Sequence, residues 1–392
     1  MNVGRFIFRQ VVDYVPRYQL DKFVAQYRGD WHAKDLTCYN QFLHLLFGQL
    51  SGCDSLRDIC MFLGAHKDSL WHLGFRNTVE HTSLSRANER RDYRIYEGLG
   101  NYLIGVVRPL YSRTSVEEIN LDNVLYALDS TTISTSIKLA AWALGKYSKG
   151  AVKMHTLLDL RGSIPASIHI TDGRWHDSNE LDYLTPEPLA FYMIDKAYVD
   201  FKALFLFHQA GAYWVSRPKD NMKYEITGHR SDFDTSTGIR GDFTIRLTTS
   251  KSKRLYPEPI RAVCYHDEDT GNDIVFITNN FEISALEVAN LYRHRWDIEV
   301  FFKWVKQNIV VKTLWGYSEN AVRTHLWVAV IAYLLIARIK ADNNSPYSIT
   351  EVATLVRVAI MERKSLRELI TKPRNPASQN QSVKELSLFE EI

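Results

Sequence analysis

The chain has 392 residues, of which 45% are apolar and 24% are charged, and its formal net charge is +3 at pH 7. This is the composition of an ordinary globular protein with room for two or three domains. A charge this small excludes a nucleic-acid surface that depends on overall charge, so any such surface must come from local basic patches.

The cysteines and the apolar segments indicate the compartment. The four cysteines form no Cys-x-x-Cys pair and have no metal-ligand spacing with histidine, which argues against structural zinc and fits a reducing cytoplasm. The N-terminus lacks the uninterrupted apolar run of a signal peptide. The longest apolar run, residues 326–339, is too short to span a bilayer and predicts a buried helix. We therefore expect a cytoplasmic protein with no membrane partner.

The first 120 residues have a predominantly helical pattern. Ser83 or Ser85 could cap a long final helix, whose first turns carry several basic and polar side chains. Those side chains are Arg86, Asn88, Arg90, Arg91 and Arg94. Short helices that lead into such a helix suit a module that reads a DNA groove. A helical bundle with a charged face explains the pattern nearly as well.

From residue 121 the pattern changes to short β-prone runs. Residues 123–128 predict a strand that leads into Asp129, and residues 152–160 and 164–171 predict a hairpin. A polar connection then opens a helical stretch, and a buried strand at residues 191–194 ends in Asp195. A helix at 199–210 and a strand at 213–216 follow. The order β-β-β-α-β-α-β is that of the ribonuclease H-like fold, a mixed sheet with helices on its faces.

Asp129 and Asp195 should lie close together in this fold, because the first and fourth strands are neighbours in its sheet. Taken singly, Asp129 could be a strand-terminating cap and Asp195 a turn residue. Two aspartates at the ends of adjacent buried strands favour a catalytic role instead.

Residues 218–281 interrupt the fold before its last helix. Alternating segments at 243–247, 260–265 and 274–278, with a hairpin signal at 269–272, predict a β-rich insertion. Its central part, residues 240–261, holds six basic and two acidic residues. We expect this basic part to lie near DNA.

The stretch from Tyr292 to Lys306 predicts one continuous helix with a polar face. At 100° per residue, Tyr292, Arg295 and Lys306 lie on the same side as Glu299, and the opposite face is expected to be buried. That opposite face carries Trp296, Val300, Phe301, Trp304 and Val305. A carboxylate flanked by Arg, Tyr and Lys suits a site that holds a metal ion and grips phosphates. An amphipathic helix with a solvated charged stripe is the simpler alternative.

After this helix the chain should continue helically to residue 339 and resume at 349–361, and the last twenty residues should be poorly ordered. These patterns divide the chain into a helical DNA-binding domain (1–120), a first core part (121–217), the insertion (218–281), a second core part with the Glu299 helix (282–340) and a C-terminal helical region with a flexible tail (341–392).

The spacing of Tyr292, Arg295, Glu299 and Lys306 resembles the YREK signature of the IS-four family of bacterial insertion-sequence transposases, to which the Tn-five transposase belongs. All four positions match. The resemblance, from about residue 85 to residue 340, implies an RNase H-like core with a catalytic triad of Asp129, Asp195 and Glu299. These oxygen donors suit two Mg²⁺ ions, with Mn²⁺ as a substitute. Family members also carry a β insertion between the second Asp and the Glu.

The resemblance further implies cut-and-paste transposition by a homodimer in a synaptic complex, acting on double-stranded DNA in the bacterial nucleoid. Its partners would be terminal inverted repeats and target DNA, gripped by Tyr292, Arg295 and Lys306. Arg217 and Lys219 could contact phosphates or be simple surface charges. Excision through a hairpin would need an aromatic side chain to stack on an extruded base. Tyr256 is the better candidate, because it resembles a loop residue, whereas Tyr265 is expected to pack on the sheet.

Two alternatives remain at this point. One is an RNase H-like nuclease without strand transfer, and the other is a catalytically silent DNA-binding regulator derived from a transposase.

Overall fold

The computed structural model describes residues 4–116, 119–134, 151–268, 270–308 and 314–372. The expectation of a poorly ordered tail concerns residues 373–392, which lie outside the described residues.

Among the described residues, seven α-helices precede the sheet, as the pattern of the first 120 residues predicted. They are α1 (Ile7–Val12), α2 (Arg17–Gln26), α3 (Cys38–Ser51), α4 (Leu56–Ala65), α5 (Leu70–Leu73), α6 (His81–Arg90) and α7 (Arg94–Val107). Thr37 and Ser55 cap α3 and α4, because their side chains accept hydrogen bonds from backbone N–H groups in the first turn.

The predicted long final helix is wrong in two respects. Residues 91–93 separate α6 from α7, and Ser83 and Ser85 lie inside α6, which begins after Glu80. Asn88 is buried and accepts a hydrogen bond from Gln41 Nε2 at 2.7 Å, so it faces the bundle interior and cannot read a DNA groove.

In the part of the chain that the structure describes, nine strands form one sheet in the order β3-β2-β1-β4-β5-β9-β8-β7-β6. They are β1 (Leu125–Ser134), β2 (Ala151–Asp159), β3 (Ile164–Asp172), β4 (Phe191–Ile194), β5 (Tyr213–Ser216), β6 (Tyr224–Arg230), β7 (Ile239–Leu247), β8 (Ile260–Asp267) and β9 (Asn272–Thr278). The first three strands are antiparallel, and β1, β4 and β5 are parallel. This half of the sheet has the predicted ribonuclease H-like topology.

The connections differ from the prediction at one point. Helix α8 (Phe201–Gln209) joins β4 to β5 and is capped by Asp200, whose carboxylate accepts from two backbone N–H groups. Between β3 and β4, however, the expected helix is only a 3-10 segment, Asp177–Tyr183.

The insertion extends the core sheet rather than forming a separate layer. Strand β9 pairs with β5 through two register positions, Val215 with Thr278 and Ser216 with Ile277. Strands β7, β8 and β9 were predicted, whereas β6 and the short helix α9 (Ser250–Leu255) were not.

Within the described ranges, five α-helices follow the insertion: α10 (Ala285–Arg293), α11 (Asp297–Asn308), α12 (Glu319–Asp342), α13 (Ile349–Ala359) and α14 (Leu366–Thr371). The predicted continuous helix from Tyr292 to Lys306 is broken by a 3-10 turn, His294–Trp296. Helix α12 is apolar and long enough to cross a membrane by length and composition, but 89% of its apolar window is buried inside the protein. The prediction of a buried core helix is confirmed.

The helices at the two ends of the chain pack together. One cluster of buried apolar side chains extends from Phe6 to Ile370, with α12 at its centre. Gln10 Nε2 donates to the carbonyl of Lys364 at 2.7 Å, and Phe6 pairs with Arg363 in an isolated β-bridge. The predicted boundaries at residues 120 and 340 stay a prediction. They divide the sequence but not the core, because residues on both sides of each boundary belong to this one cluster.

Candidate active site

The two aspartates lie side by side on adjacent parallel strands. The pairing of β1 with β4 ends at Leu128 opposite Ile194, so Asp129 and Asp195 each directly follow the last paired residue. Strand β1 itself continues to Ser134, and Asp129 pairs with Thr156 of β2, so Asp129 lies within the strand and does not terminate it as expected. Asp195 Oδ1 accepts from the backbone N–H of Ala197 at 2.9 Å, which fixes the start of a 3-10 turn.

Glu299 approaches from α11, which packs on β1. Asp129 and Glu299 line an open cleft of about 400 Å³. Its other lining residues are Ser130, Thr131, Phe302, Lys303 and Lys306. The sequence did not single out Phe302 and Lys303, although their positions three and four residues after Glu299 place them on the same side of a helix.

Arg295 links two of the carboxylates. Its Nη1 donates to Asp129 Oδ2 at 2.8 Å, and its Nη2 lies 3.7 Å from Glu299 Oε1. The guanidinium is buried, with 8% of the side chain exposed, and its Nε has no acceptor among the residues that the structure describes. The other Asp129 oxygen, Oδ1, accepts from the Ser130 N–H at 2.7 Å. Arg295 is therefore the counter-ion of the acidic cluster, although a phosphate contact was expected of it.

Burial makes Asp129 and Glu299 reluctant to ionise. The pKa of Asp129 is raised to about 6, mainly by burial and in smaller part by the charges of Asp195 and Glu299, against the opposing effects of Arg295 and the Ser130 N–H. The pKa of Glu299 is raised mainly by burial, against the opposing effect of Arg295. A cation placed between Asp129 and Glu299 would make ionisation of both carboxyl groups more favourable.

The donor chemistry of the cluster fits a hard divalent cation, because carboxylate oxygens are the ligands that Mg²⁺ prefers. Among the described residues, no group of three His, Cys, Asp or Glu side chains is close enough to hold one ion. Both oxygens of Asp129 are already hydrogen-bonded, one to Arg295 and the other to the Ser130 N–H.

The other basic and aromatic residues expected at the site take different positions. Tyr292 is buried, packs on Phe276 with ring centroids 5.0 Å apart, and lies beneath Arg295. Lys306 is exposed at the cleft. Arg217 is exposed after β5, close enough for its charge to lower the pKa of Tyr292, which burial raises to about 12. Lys219 is half-buried further along the same connection.

The face of the Tyr292–Lys306 stretch that was expected to be buried is only partly buried. Phe301, Trp304 and Val305 are buried, but Trp296 is 38% and Val300 64% exposed. In the 3-10 turn His294–Trp296 each residue turns the chain through a different angle from that in an α-helix. The turn therefore rotates α11 relative to α10.

Tyr256 is not free to reach DNA, and this expectation is wrong. Its ring is 1% exposed and packs edge-on against Trp214 and Phe205, and its hydroxyl lies 2.8 Å from His208 Nδ1. Tyr265 lies half-buried against Phe276 on the sheet, as expected, and accepts a hydrogen bond from Arg293.

A polar network behind Asp129 was missed. Asp177 Oδ1 accepts from Ser130 Oγ and from Lys153 Nζ, both at 3.0 Å. Buried His155 lies 3.1 Å from the hydroxyl of Tyr198, which is three residues after Asp195. The alternation of Lys153 and His155 along β2 was the available signal, because both must lie on one face of the strand.

Residues 121–335, more than half of the chain, match the model of the transposase DDE domain. The chain belongs to the DDE transposase family. Over 294 residues it is 30% identical to a protein of Sinorhizobium fredii that bears the name transposase y4zB, covering 74% of this chain and 80% of that one. It is also 32% identical over 235 residues to a Geobacillus stearothermophilus protein named as the transposase for insertion sequence element IS5377, covering 60% and 61% of the two chains.

A Synechocystis protein named for insertion sequence element IS4SA is 27% identical to this DDE transposase over 267 residues, covering 66% of this chain and 71% of that one. The structure of the piggyBac transposase synaptic complex with hairpin DNA aligns with a TM-score of 0.46 at 8% identity, covering 95% of this chain and 82% of that chain. Residues 3–76 match a domain of unknown function, DUF4372. The predicted family and the predicted activity, DNA transposition by a DDE transposase, are confirmed.

Proposed function

We propose that the cleft between β1 and α11 is the site at which this transposase cleaves DNA and transfers strands, in cut-and-paste transposition of an insertion sequence. The observation that supports this most is the adjacency of Asp129 and Asp195 after their last paired residues, with Glu299 of α11 joined to the cluster through Arg295. Two-metal hydrolysis of a phosphodiester uses such a concentration of carboxylates on a rigid element.

DDE transposases generally use divalent metal ions, and in this chain Asp129, Asp195 and Glu299 would hold them. We propose two Mg²⁺ ions, with Mn²⁺ as a substitute, which would activate the attacking oxygen and stabilise charge on the leaving oxygen. Arg295 keeps Asp129 in place when the cluster is free of metal, because its guanidinium offsets the carboxylate charge.

The reaction uses two nucleophiles in turn. In the first step, a water oxygen bonds to phosphorus and gives up a proton to solvent, while the bond from phosphorus to the 3′-oxygen breaks and that oxygen takes up a proton to become a 3′-hydroxyl. In the second step, this 3′-hydroxyl oxygen loses its proton and bonds to a phosphorus of target DNA. The bond from that phosphorus to the target's own 3′-oxygen breaks, and the displaced strand leaves with that oxygen protonated. Lys303 and Lys306 line the cleft and would hold the negatively charged backbone during both steps.

The double-stranded terminal inverted repeats and target DNA are the proposed substrates, and two copies of the chain would bring the two ends together. Lys306→Ala should make the logarithm of DNA affinity fall less steeply with the logarithm of salt concentration, by about one unit per lost phosphate contact. The matched control is Lys202→Ala, an exposed lysine on α8, which should keep the wild-type slope.

The direct test uses three single variants, Asp129→Asn, Asp195→Asn and Glu299→Gln. Each should abolish metal-dependent nicking of a duplex from the end of the element while retaining DNA binding, because an amide is a poor replacement for a charged metal ligand. Asp182→Asn, an exposed carboxylate outside the cleft, should nick normally. Wild-type nicking by any of the three would remove that residue from the site. Nicking without joining to target DNA would indicate a nuclease, and binding without nicking a silent regulator.

A further inference from the structure

A second basic surface lies in the N-terminal helices, outside the cleft. A groove of about 570 Å³ runs between the loop of residues 27–36 and helix α6. We call it the arginine groove. Its charged and aromatic lining consists of Arg28, Trp31, His32, Arg86, Arg90 and Arg91, with Tyr27 and Asp92 at its end.

The loop of residues 27–36 is held in a fixed shape. Arg28 and His32 have positive φ angles of 50° and 58°, a conformation that non-glycine residues keep only when their surroundings enforce it. Asp30 Oδ1 accepts from the Cys38 N–H at 2.5 Å. At Gly29, a Cβ atom would lie 2.5 Å from Ile95 Cδ1, so no larger residue fits without a shift in its neighbours. A pre-shaped loop loses little conformational entropy when it binds a ligand.

The buried side of the groove is made by Arg91. Its Nη1 donates to Gln41 Oε1 at 2.7 Å and its Nη2 to the carbonyl of Leu36, so this arginine fastens the loop to α3. Its charge is also partly offset by Asp30, 3.9 Å away. Arg91 therefore supports the groove and is not available to a ligand.

The remaining arginines are available. Arg28, Arg86 and Arg90 are exposed, and no residue that the structure describes forms a hydrogen bond or ion pair with their guanidinium groups. The acidic residue at the end of the groove, Asp92, is already bonded to Arg94. Beside these three cations, Trp31 is 71% exposed. Unpaired guanidinium groups next to an exposed indole ring suit a polyanion that also offers flat apolar surface, as the DNA backbone with its sugars and bases does.

A neighbouring groove of about 620 Å³ serves as a comparison. It also has an exposed tryptophan, Trp71, at 80% exposure. Two of its three arginines, however, pair with carboxylates within their own helices: Arg17 with Asp21 at 2.8 Å and Arg9 with Asp13 at 3.5 Å. The two grooves thus resemble each other in size and aromatic content but differ in the positive charge they offer to a ligand.

We propose that the arginine groove binds the phosphate backbone of double-stranded DNA, with Trp31 against the same strand. This would give part of the region that matches DUF4372, together with α6, a role in DNA binding. It also replaces the reading of α6 as a base-reading helix, because the available arginines face a groove built with the 27–36 loop. The inference rests on the proposed function only in taking DNA from the end of the element as the natural ligand.

The test measures binding in the Asp129→Asn protein, so that cleavage does not interfere. Arg86→Ala/Arg90→Ala should weaken binding to a duplex from the end of the element and reduce the slope of log affinity against log salt by about two. Arg57→Ala/Arg367→Ala removes two exposed arginines elsewhere and should keep the wild-type slope. Arg86→Lys/Arg90→Lys should restore the slope, because lysine retains the charge.

Fluorescence gives an independent measurement. Addition of the duplex should change the tryptophan emission less in Trp31→Phe than in the protein with both tryptophans. In Trp71→Phe the emission should change as much as it does in that protein. An unaltered slope in the Arg86/Arg90 double alanine variant, failure of the lysine variant to restore it, or equal binding losses in the Arg57/Arg367 control would overturn the proposal. Preference of the groove for duplex RNA over duplex DNA would overturn it as well.

The two proposals can fail separately. If the wild-type protein does not nick DNA but the Arg86/Arg90 double alanine variant still has the shallower slope, the cleft proposal fails and the groove proposal stands. If nicking depends on Asp129 but the groove variants bind like the wild type, the groove proposal fails alone.

Discussion

Arg295 and Arg261 both pair with an aspartate of the sheet, and they differ in how many of their hydrogen bonds are satisfied. In the insertion, Arg261 donates to both oxygens of Asp242, at 2.7 and 2.9 Å, and to the carbonyl of Ile283 at 2.6 Å. Both members of this pair are 1% exposed. In the cleft, Arg295 makes one short bond to Asp129, and its buried Nε has no acceptor among the described residues. A saturated pair is a structural element, whereas an incompletely bonded pair leaves room for a ligand.

The largest effect should come from breaking the saturated pair. Arg261→Met leaves Asp242 buried with no bidentate partner, although Arg230 lies 3.4 Å away, and should cost about 3–5 kcal/mol of unfolding free energy. Urea denaturation followed by circular dichroism measures the loss. Arg254→Met, an exposed arginine on α9, is the control and should cost little. The double variant Arg261→Met/Asp242→Leu should recover part of the stability, and a double variant as unstable as the single one would contradict this account of the pair.

The unsaturated cluster should instead be stabilised by metal. With Mn²⁺ at about a hundred times its Kd, the protein should gain about 2.7 kcal/mol of unfolding free energy, because only the folded state brings the carboxylates together. Denaturation with and without the ion measures this gain. The gain should largely disappear in Asp129→Asn and persist in Asp182→Asn. An equal gain in both variants would mean that the ion binds elsewhere.

The unfolding free energy lost on replacing Arg295 should depend on pH, unlike the loss on replacing Arg261. The pKa of Asp129 is raised to about 6, above its ordinary value near 4, so the folded protein takes up a proton as the pH falls from 7.5 to 5. Once protonated, Asp129 no longer needs its counter-ion. Arg295→Met should therefore cost about 2 kcal/mol at pH 7.5 and less at pH 5, measured by urea denaturation without metal. Equal costs at the two pH values would show that Arg295 stabilises by packing alone.

The smallest effect should follow a change in the insertion far from the cleft. Tyr256→Phe removes the hydrogen bond to His208 and keeps the packing of the ring, so it should cost about 1 kcal/mol. DNA nicking, and hairpin formation if the element uses it, should proceed at wild-type rates in separate assays. Selective loss of hairpins would restore a role at the DNA for this buried side chain.

Much of the central sheet could be read from the sequence because its signals are local. The bounds of β4 and β5 were predicted to the residue, and their largely apolar character reflects burial on both faces. The adjacency of Asp129 and Asp195 followed from strand order alone, since parallel neighbours align their carboxyl ends.

The errors arose at side chains whose burial and partners depend on residues far away in the sequence. The chain around Tyr256 reads Arg-Leu-Tyr-Pro, which locally resembles an exposed loop. Its burial depends on Trp214 and His208, more than forty residues earlier, which no periodicity connects to it. The pairing of Arg295 with Asp129 was missed because it spans 166 positions, and the phosphate contact expected of Arg295 stays a prediction. Asn88, likewise, faces inward because Gln41 provides its partner.

The attachment of β9 to β5 also determines which strands end the sheet. At the β3 end of the sheet, two side chains of α12 donate hydrogen bonds to backbone carbonyls. Arg323 Nη1 donates to Ile170 O at 2.8 Å, and Tyr333 OH donates to Ser163 O at 2.7 Å. At the other end, β6 has Tyr224 and Ile226 41% and 49% exposed. Without the insertion, β5 would present its outer edge beside the acidic cluster. Strand β6 takes that terminal position, so the risk of edge-to-edge aggregation is moved away from the strands that carry the carboxylates.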